Sequence, residues 1–124
     1  MIWFHLILSH TSMGYLKDSS KMELEKIDML NRLFSLYEAL LTEKQSTYFK
    51  MYYYEDYTLQ EIAESLNVSR NAIFDQLKIV SAKLFDFEAK LHLLETQKQR
   101  KKYLDSYEKT KDTKYLDLLR KMDE

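Results

Sequence analysis

Apolar and polar residues alternate with the period of an α-helix along most of this chain. Apolar residues recur every three or four positions from Leu24 to Leu41, which predicts a long first helix with one buried face. A second set from Tyr48 to Tyr53 is aromatic, and Lys50 is the one cation among its tyrosines. Such a face is more often core than a stacking platform for nucleic-acid bases, which needs interleaved cations. The first set consists of Leu24, Ile27, Leu30, Phe34, Tyr37 and Leu41.

Capping boxes mark where helices are expected to begin. In a capping box, a Ser or Thr and a Glu or Gln three residues later satisfy each other's backbone N–H groups. Three such pairs predict three helix starts, namely Ser20 with Glu23, Thr42 with Gln45, and Thr58 with Glu61.

The segment "TLQEIAESLNVSRNAIFDQL", from Thr58 to Leu77, has the pattern of a helix-turn-helix. The motif needs a small residue where the two helices cross, an apolar anchor before the turn, and a turn residue that tolerates positive φ. It also needs an apolar residue that plugs the core from the turn and a cap for the second helix. These roles are predicted for Ala63, Leu66, Asn67, Val68 and Ser69 in that order, with Ile62, Ile73 and Leu77 as further buried contacts.

With the preceding residues, this motif resembles the fourth, promoter-reading region of bacterial sigma factors. The resemblance runs over Leu41–Arg70. It continues through Ser69–Leu93, where the sequence is more similar to the YlxM-like family of small helix-turn-helix proteins. It covers about Met22 to Leu94, and it implies an all-α fold, a sigma-region-4-like helix-turn-helix bundle. The gene neighbourhood of that family implies a role in the signal recognition particle pathway, and a regulatory role on DNA or RNA is the other inference.

The second helix of the motif carries the candidate nucleic-acid contacts. With Ile73, Leu77 and Val80 buried, Arg70 and Asn71 suit guanine and adenine edges, and Lys78 suits a phosphate. Asp75 opposes the phosphate backbone, and Ile79 stands where a further basic residue is expected. The predicted contacts of this helix are Arg70, Asn71, Phe74 and Lys78.

The charge distribution limits what the motif achieves alone. The net charge is −1, but Met22–Thr96 carries 8 basic and 13 acidic residues, whereas Gln97–Glu124 carries 9 basic and 6 acidic residues. Domains that hold duplex DNA alone usually have a clear excess of Lys and Arg. The basic run "KQRKKY" is either a solvated helix end or a phosphate-binding segment, whose candidate contacts are Lys98, Arg100, Lys101 and Lys102.

A heptad seam follows the motif. Its apolar residues are separated alternately by four and three positions, with no Gly or Pro between them, which predicts an extended C-terminal helix running to about Lys102. The seam either packs back on the first helix or pairs with a second copy of the chain. Its members are Ile73, Leu77, Val80, Leu84, Phe87, Leu91 and Leu94, and the last four are the predicted interface of a homodimer.

The length of 124 residues predicts one domain with appendages. We expect an N-terminal extension at 1–19, a helix-turn-helix domain at 20–96 and a basic helical C-terminal tail at 97–124. The opening "MIWFHLIL" is too short for a membrane span, so no membrane insertion is predicted. It is either a non-native or alternative-start extension or a hydrophobic arm that docks on a partner.

Composition narrows the function. The chain has no cysteine and three scattered histidines, and no nucleophile pair or phosphate-binding loop is present, so we predict no metal site, no cofactor and no enzyme. A reducing cytoplasm suits this composition. Two hypotheses remain: a cytoplasmic regulatory module that binds nucleic acid, or an adaptor that binds no nucleic acid and meets a basic protein partner with its acidic core.

Overall fold

The computed structural model describes the backbone of residues 13–124 and the side chains from Ser20 onward. The segment "MIWFHLIL", and with it much of the predicted extension, lies outside the described residues. A 3₁₀ turn, Glu38–Leu40, follows the first helix, and a π-helical turn, Lys50–Tyr54, continues the second. The all-α prediction is confirmed, because the described residues form no strand. Their six α-helices are α1 (Met13–Tyr37), α2 (Glu43–Phe49), α3 (Leu59–Leu66), α4 (Arg70–Leu91), α5 (Leu93–Thr110) and α6 (Lys114–Met122).

Helix α1 begins earlier than its capping box predicted. It begins at Met13, so Ser20 and Glu23 lie inside the helix and the predicted start at Ser20 is wrong. A capping box permits a helix to begin but does not force it to, and no proline stands before Ser20 to stop the helix. The boxes at Thr42 and Thr58 are confirmed, with both reciprocal hydrogen bonds formed.

The buried face of α1 is narrower than the set of apolar residues in its sequence. Leu30, Phe34 and Tyr37 are fully buried, and Leu33 joins them. Leu24, near the start of the set, is exposed. The buried side chains of this helix therefore lie in its second half.

The aromatic residues of α2 form core, as predicted. Phe49 stacks on Phe34 of α1 with ring centroids 4.2 Å apart and packs against Tyr53 at 4.5 Å. Tyr54, although exposed, meets both phenylalanines edge to face. Offset stacking and edge-to-face contacts are the arrangements that aromatic rings prefer. The tyrosine-rich stretch thus joins α2 to α1.

The sequence pattern did not predict the π-helical turn. The Glu55 N–H donates to the carbonyl of Lys50 at 2.9 Å, five residues back, and the Tyr57 N–H donates to the carbonyl of Met51 at 3.0 Å. Asp56, between them, has φ = 59°, a left-handed conformation that Asp tolerates better than most residues. This turn reverses the chain into α3.

Helix α4 extends well beyond the motif but ends at Leu91, so the predicted continuation to Lys102 is wrong. His92 is left-handed, with φ = 55°, and α5 begins at Leu93. The Glu88 carboxylate accepts hydrogen bonds from the N–H groups of Leu94 at 2.9 Å and Glu95 at 3.1 Å. A side chain of one helix thus caps the next, which ends the helix without a glycine or proline.

This break divides the heptad seam between two helices. Leu94 lies on α5 and not on the helix that carries Leu84, Phe87 and Leu91. Leu84 and Leu94 are buried within a single chain, Phe87 is half-buried beside Tyr37, and Leu91 is 51% exposed. The seam is therefore not one continuous stripe on a single helix, and the homodimer stays a prediction.

The chain divides into two compact units, and the boundary lies between Phe87 and Glu88. The boundary predicted between Thr96 and Gln97 lies within α5 and stays a prediction. The second unit contains α5 and α6, which pack together as a helical hairpin. Arg100 of α5 and Asp123, the residue after α6, form an ion pair at 3.2 Å. No residue of α6 is fully buried.

Candidate nucleic-acid interface

Local hydrogen bonds build the helix-turn-helix as the sequence predicted. Asn67 ends α3 with φ = 55° and ψ = 47°, and the Val68 N–H donates to the carbonyl of Ala63 at 3.0 Å. The Ser69 hydroxyl then accepts from the Ala72 N–H at 3.0 Å and caps α4. The left-handed turn and the serine cap therefore determine where α3 ends and where α4 begins.

Beneath the motif lies a cluster of buried side chains that α2, α3 and α4 contribute together. Ala63 is buried, and Ile62 is fully buried. Met51, Tyr53 and Phe74 pack at the edge of the cluster. The buried members are Tyr48, Tyr52, Leu59, Ile62, Ala63, Ile73 and Leu77. The predicted burial of Ile62, Ile73 and Leu77 is confirmed.

Leu66 and Val68 do not have the buried positions predicted for them. Each is 37% exposed, and both line an open cleft of about 430 Å³. Both flank the left-handed Asn67, where the chain turns at the edge of the packed cluster. The other residues that line the cleft are Glu43, Lys44, Thr47 and Tyr48.

A buried glutamine attaches α4 to α2. Gln45 completes the capping box of Thr42, and its Oε1 also accepts from Lys83 Nζ at 3.4 Å. Its Nε2 donates to Gln76 Oε1 at 3.5 Å. Gln76 and Lys83 are seven residues apart and lie on one side of α4. The sequence predicted Gln45 only as a cap, because these partners are distant in sequence.

The predicted contacts on α4 do not all lie on one face. Asn71 and Lys78 are exposed and seven residues apart, on the side opposite the buried Ile73. Arg70 is also exposed, but it lies three residues before Ile73 and seven before Leu77, close to the buried side. The sequence pattern predicts these residues as one group, whereas Arg70 lies apart from the other two on the helix surface.

Phe74 differs from the other three predicted contacts. It is half-buried and packs against the core cluster, so much of its ring is not available to a ligand. Lys78 Nζ lies 5.2 Å from the centre of this ring, a cation–π arrangement that steadies the lysine. The Phe74 ring therefore helps to hold the Lys78 side chain in place.

Apolar and acidic side chains interrupt the outward face of α4. Asp75 is exposed between Asn71 and Lys78. Further along, Ile79 and Phe85 are each 42% exposed. This face is mixed, unlike the uniformly basic surface of a strong duplex binder.

The cations of the second unit are more favourably placed for phosphates. Lys98, Lys101 and Lys102 on α5 are exposed, and they form no ion pair among the residues that the structure describes. Arg100, predicted with them, is instead paired with Asp123. Lys109 was not among the predicted contacts. It lies on the same side of α5 as Lys98 and Lys102, because it follows Lys102 by seven residues, about two helical turns. This spacing could have identified it from the sequence.

Other kinds of site find no support between residues 13 and 124. No group of three or more His, Cys, Asp or Glu side chains there is placed to hold a metal ion. No helix in this part of the chain is long and apolar enough to cross a membrane.

Comparison with known proteins places the motif in a family. Residues 24–123 match the model of UPF0122, described as a helix-turn-helix protein, YlxM / p13 like. A UPF0122 protein of Streptococcus thermophilus is 45% identical over 96 residues, which cover 77% of this chain and 87% of the relative. The UPF0122 protein YofM of Lactococcus lactis is 42% identical over 92 residues, 74% of this chain and 83% of the relative.

Proposed function

Because the chain belongs to the UPF0122 family of helix-turn-helix proteins, we propose that it is a non-catalytic, cytoplasmic regulator that binds nucleic acid. The proposal depends most on the exposure of three polar side chains in the first turns of α4, namely Arg70, Asn71 and Lys78. The apolar side chains of the same turns, Ile73 and Leu77, are buried. Helix-turn-helix proteins place this part of the recognition helix in the major groove.

Each contact has a role that its chemistry supports. The Asn71 amide suits an adenine edge, and the Arg70 guanidinium suits a guanine edge or a phosphate. The Lys78 ammonium suits a phosphate. Because Asp75 lies between them, we expect little affinity from α4 alone. Lys98, Lys101, Lys102 and Lys109 of the second unit then supply most of the phosphate neutralisation.

Family resemblance selects the first partners to test. The YlxM-like resemblance makes the RNA and protein components of the signal recognition particle pathway the candidates. A base-reading α4 and a cationic α5 suit a structured RNA as well as duplex DNA, since phosphates dominate affinity in both.

A protein-interaction adaptor is the second candidate function, and one set of observations favours it. Leu66 and Val68 line an open cleft, and Ile79 and Phe85 are exposed on α4. Exposed apolar groups rimmed by polar residues are typical of protein-binding surfaces. An adaptor with these surfaces needs no free cation on α4.

Salt dependence of binding distinguishes the two candidates. The test measures fluorescence anisotropy of a labelled DNA duplex of about 20 base pairs and an RNA hairpin of similar length, from about 50 mM to about 200 mM salt. A nucleic-acid binder should lose affinity steeply, and Lys78→Ala should lower the salt slope by about one. Lys44→Ala, an exposed lysine outside α4, is the matched control and should leave the slope unchanged. Absence of binding to both probes at low salt would leave the adaptor.

A further inference from the structure

Tyr52 occupies an unusual position for a polar side chain. It belongs to the π-helical turn, and its ring packs in the cluster that contains Ile73 and Leu77 of α4. The residue is only 7% exposed. Its ring is therefore core, directly beneath the first turns of the recognition helix.

The hydroxyl of Tyr52 is buried and has no hydrogen-bond partner among the described residues. An unpaired buried hydroxyl costs free energy, because it has given up its hydrogen bonds to water. Phenylalanine would fill the same ring volume without that cost. The hydroxyl thus needs an explanation other than the stability of the free protein.

The charges of two side chains act on this hydroxyl. Arg70 lies on the Tyr52 side of α4, since it precedes the cluster members Ile73 and Leu77 by three and seven residues. Asp56 follows the π-helical turn in a left-handed conformation. Burial raises the pKa of Tyr52 to about 12, while the charge of Arg70 lowers that pKa and the charge of Asp56 raises it.

Neither charged group is engaged elsewhere in the described part of the chain. Arg70 and Asp56 are exposed, and their side chains form no hydrogen bond or ion pair there. A guanidinium can only donate hydrogen bonds and a carboxylate accepts them, whereas a phenol does both. The charges of one hydrogen-bond donor and one hydrogen-bond acceptor thus act on the Tyr52 hydroxyl, which is bonded to neither in the free protein.

We propose that Tyr52 is the positioning residue for Arg70 in the nucleic-acid complex. Its hydroxyl oxygen accepts a hydrogen bond from the Arg70 guanidinium, and its hydrogen is donated to the Asp56 carboxylate. Arg70 is then held in one orientation toward the nucleic acid, which reduces the rotamer entropy it loses on binding. The inference rests on the proposed function and adds to it a residue outside the helix-turn-helix.

Tyr52→Phe tests the inference, because it removes the hydroxyl and keeps the ring. We expect unchanged or higher thermal stability and an affinity for the labelled duplex or hairpin that falls about ten-fold, as for one lost hydrogen bond to a charged group of about 1.5 kcal/mol. In an Arg70→Ala background the same substitution should have no further effect. Tyr48→Phe, the same change in the same cluster, is the matched control and should bind like the parent.

Each other outcome contradicts the inference in a distinct way. If Tyr52→Phe binds like the parent while Arg70→Ala binds weakly, Tyr52 is only core and the proposed function stands. An equal loss with and without Arg70 would show that the hydroxyl acts on another group. Loss of folding in Tyr52→Phe would show that the hydroxyl stabilises the free protein. If the parent binds neither probe at low salt, the inference and the proposed function fail together.

Discussion

Truncation of Phe49 should destabilise the first unit more than truncation of an average core residue. Its side chain is fully buried, stacks on Phe34 at 4.2 Å and packs on Tyr53 at 4.5 Å. A buried Phe→Ala substitution costs about 3–5 kcal/mol, and favourable aromatic pairs contribute about 0.5–1.5 kcal/mol each. Because these two pairs and the edge-to-face pair with Tyr54 are lost at once, we expect Phe49→Ala to lower the free energy of unfolding by about 4–5 kcal/mol. Small domains have about 5–15 kcal/mol in total.

Urea unfolding followed by circular dichroism measures this loss, with Phe85→Ala as the matched control. Phe85 is 42% exposed, so the same substitution there should cost less than about 1 kcal/mol. Phe49→Leu keeps most of the apolar volume and should lie between the two variants. Equal losses at Phe49 and Phe85 would refute the assignment of the aromatic cluster to the core. Near-neutral stability with lost RNA binding would instead support a stacking platform.

Two further predictions concern alkaline stability and self-association. Burial raises the pKa of Tyr52 to about 12 and raises that of Tyr53 as well, while an unfolded tyrosine ionises near pH 10. Their contribution to stability is therefore complete below about pH 10 and is lost as the pH rises toward 12. Ultraviolet titration of the ten tyrosines should show at least two that ionise only on unfolding, and a single transition near pH 10 would contradict this. For the homodimer predicted from the sequence, Leu91 is the exposed member of the four interface residues, so Leu91→Glu should give a folded monomer in sedimentation. A parent chain already monomeric at high concentration would rule the dimer out.

Features set by a few neighbouring residues could be predicted from the sequence. The boxes at Thr42 and Thr58, the left-handed Asn67 and the Ser69 cap all depend on hydrogen bonds within three or four residues. The aromatic core was also predictable, because helical spacing alone placed Phe49 and Tyr52 on one face.

Features that depend on distant or competing interactions were not predictable in this way. The break at His92 depends on the Glu88 carboxylate, which caps α5 from the preceding helix where no glycine or proline marks a boundary. The burial of Gln45 depends on Gln76 and Lys83, which lie more than 30 residues away in sequence.

In the candidate site, the sequence predicted which types of residue are present, but it did not predict which of their side chains are buried and which are exposed. Phe74 is aromatic and lies on the motif, yet it packs against the core because it borders the buried side of α4. Leu66 and Val68 are apolar, yet both are partly exposed because the turn carries them to the edge of the cluster. The order of residue types along a helix determines which side is apolar. How far that side stays buried at its margins depends on the neighbouring helices and turns.

Under the proposed function, the free charges divide affinity and selectivity between different helices. Hydrogen-bonding groups suited to bases, Arg70 and Asn71, are on α4, where Asp75 and Ile79 limit the attraction to phosphates. Unpaired lysines suited to phosphates, including Lys98 and Lys102, are on α5 in the second unit. Phosphate contacts supply sequence-independent affinity and base contacts supply selectivity. Under the proposed function, charge removal on α5 should therefore weaken binding to all sequences alike, whereas substitutions at Asn71 should change which sequences are preferred.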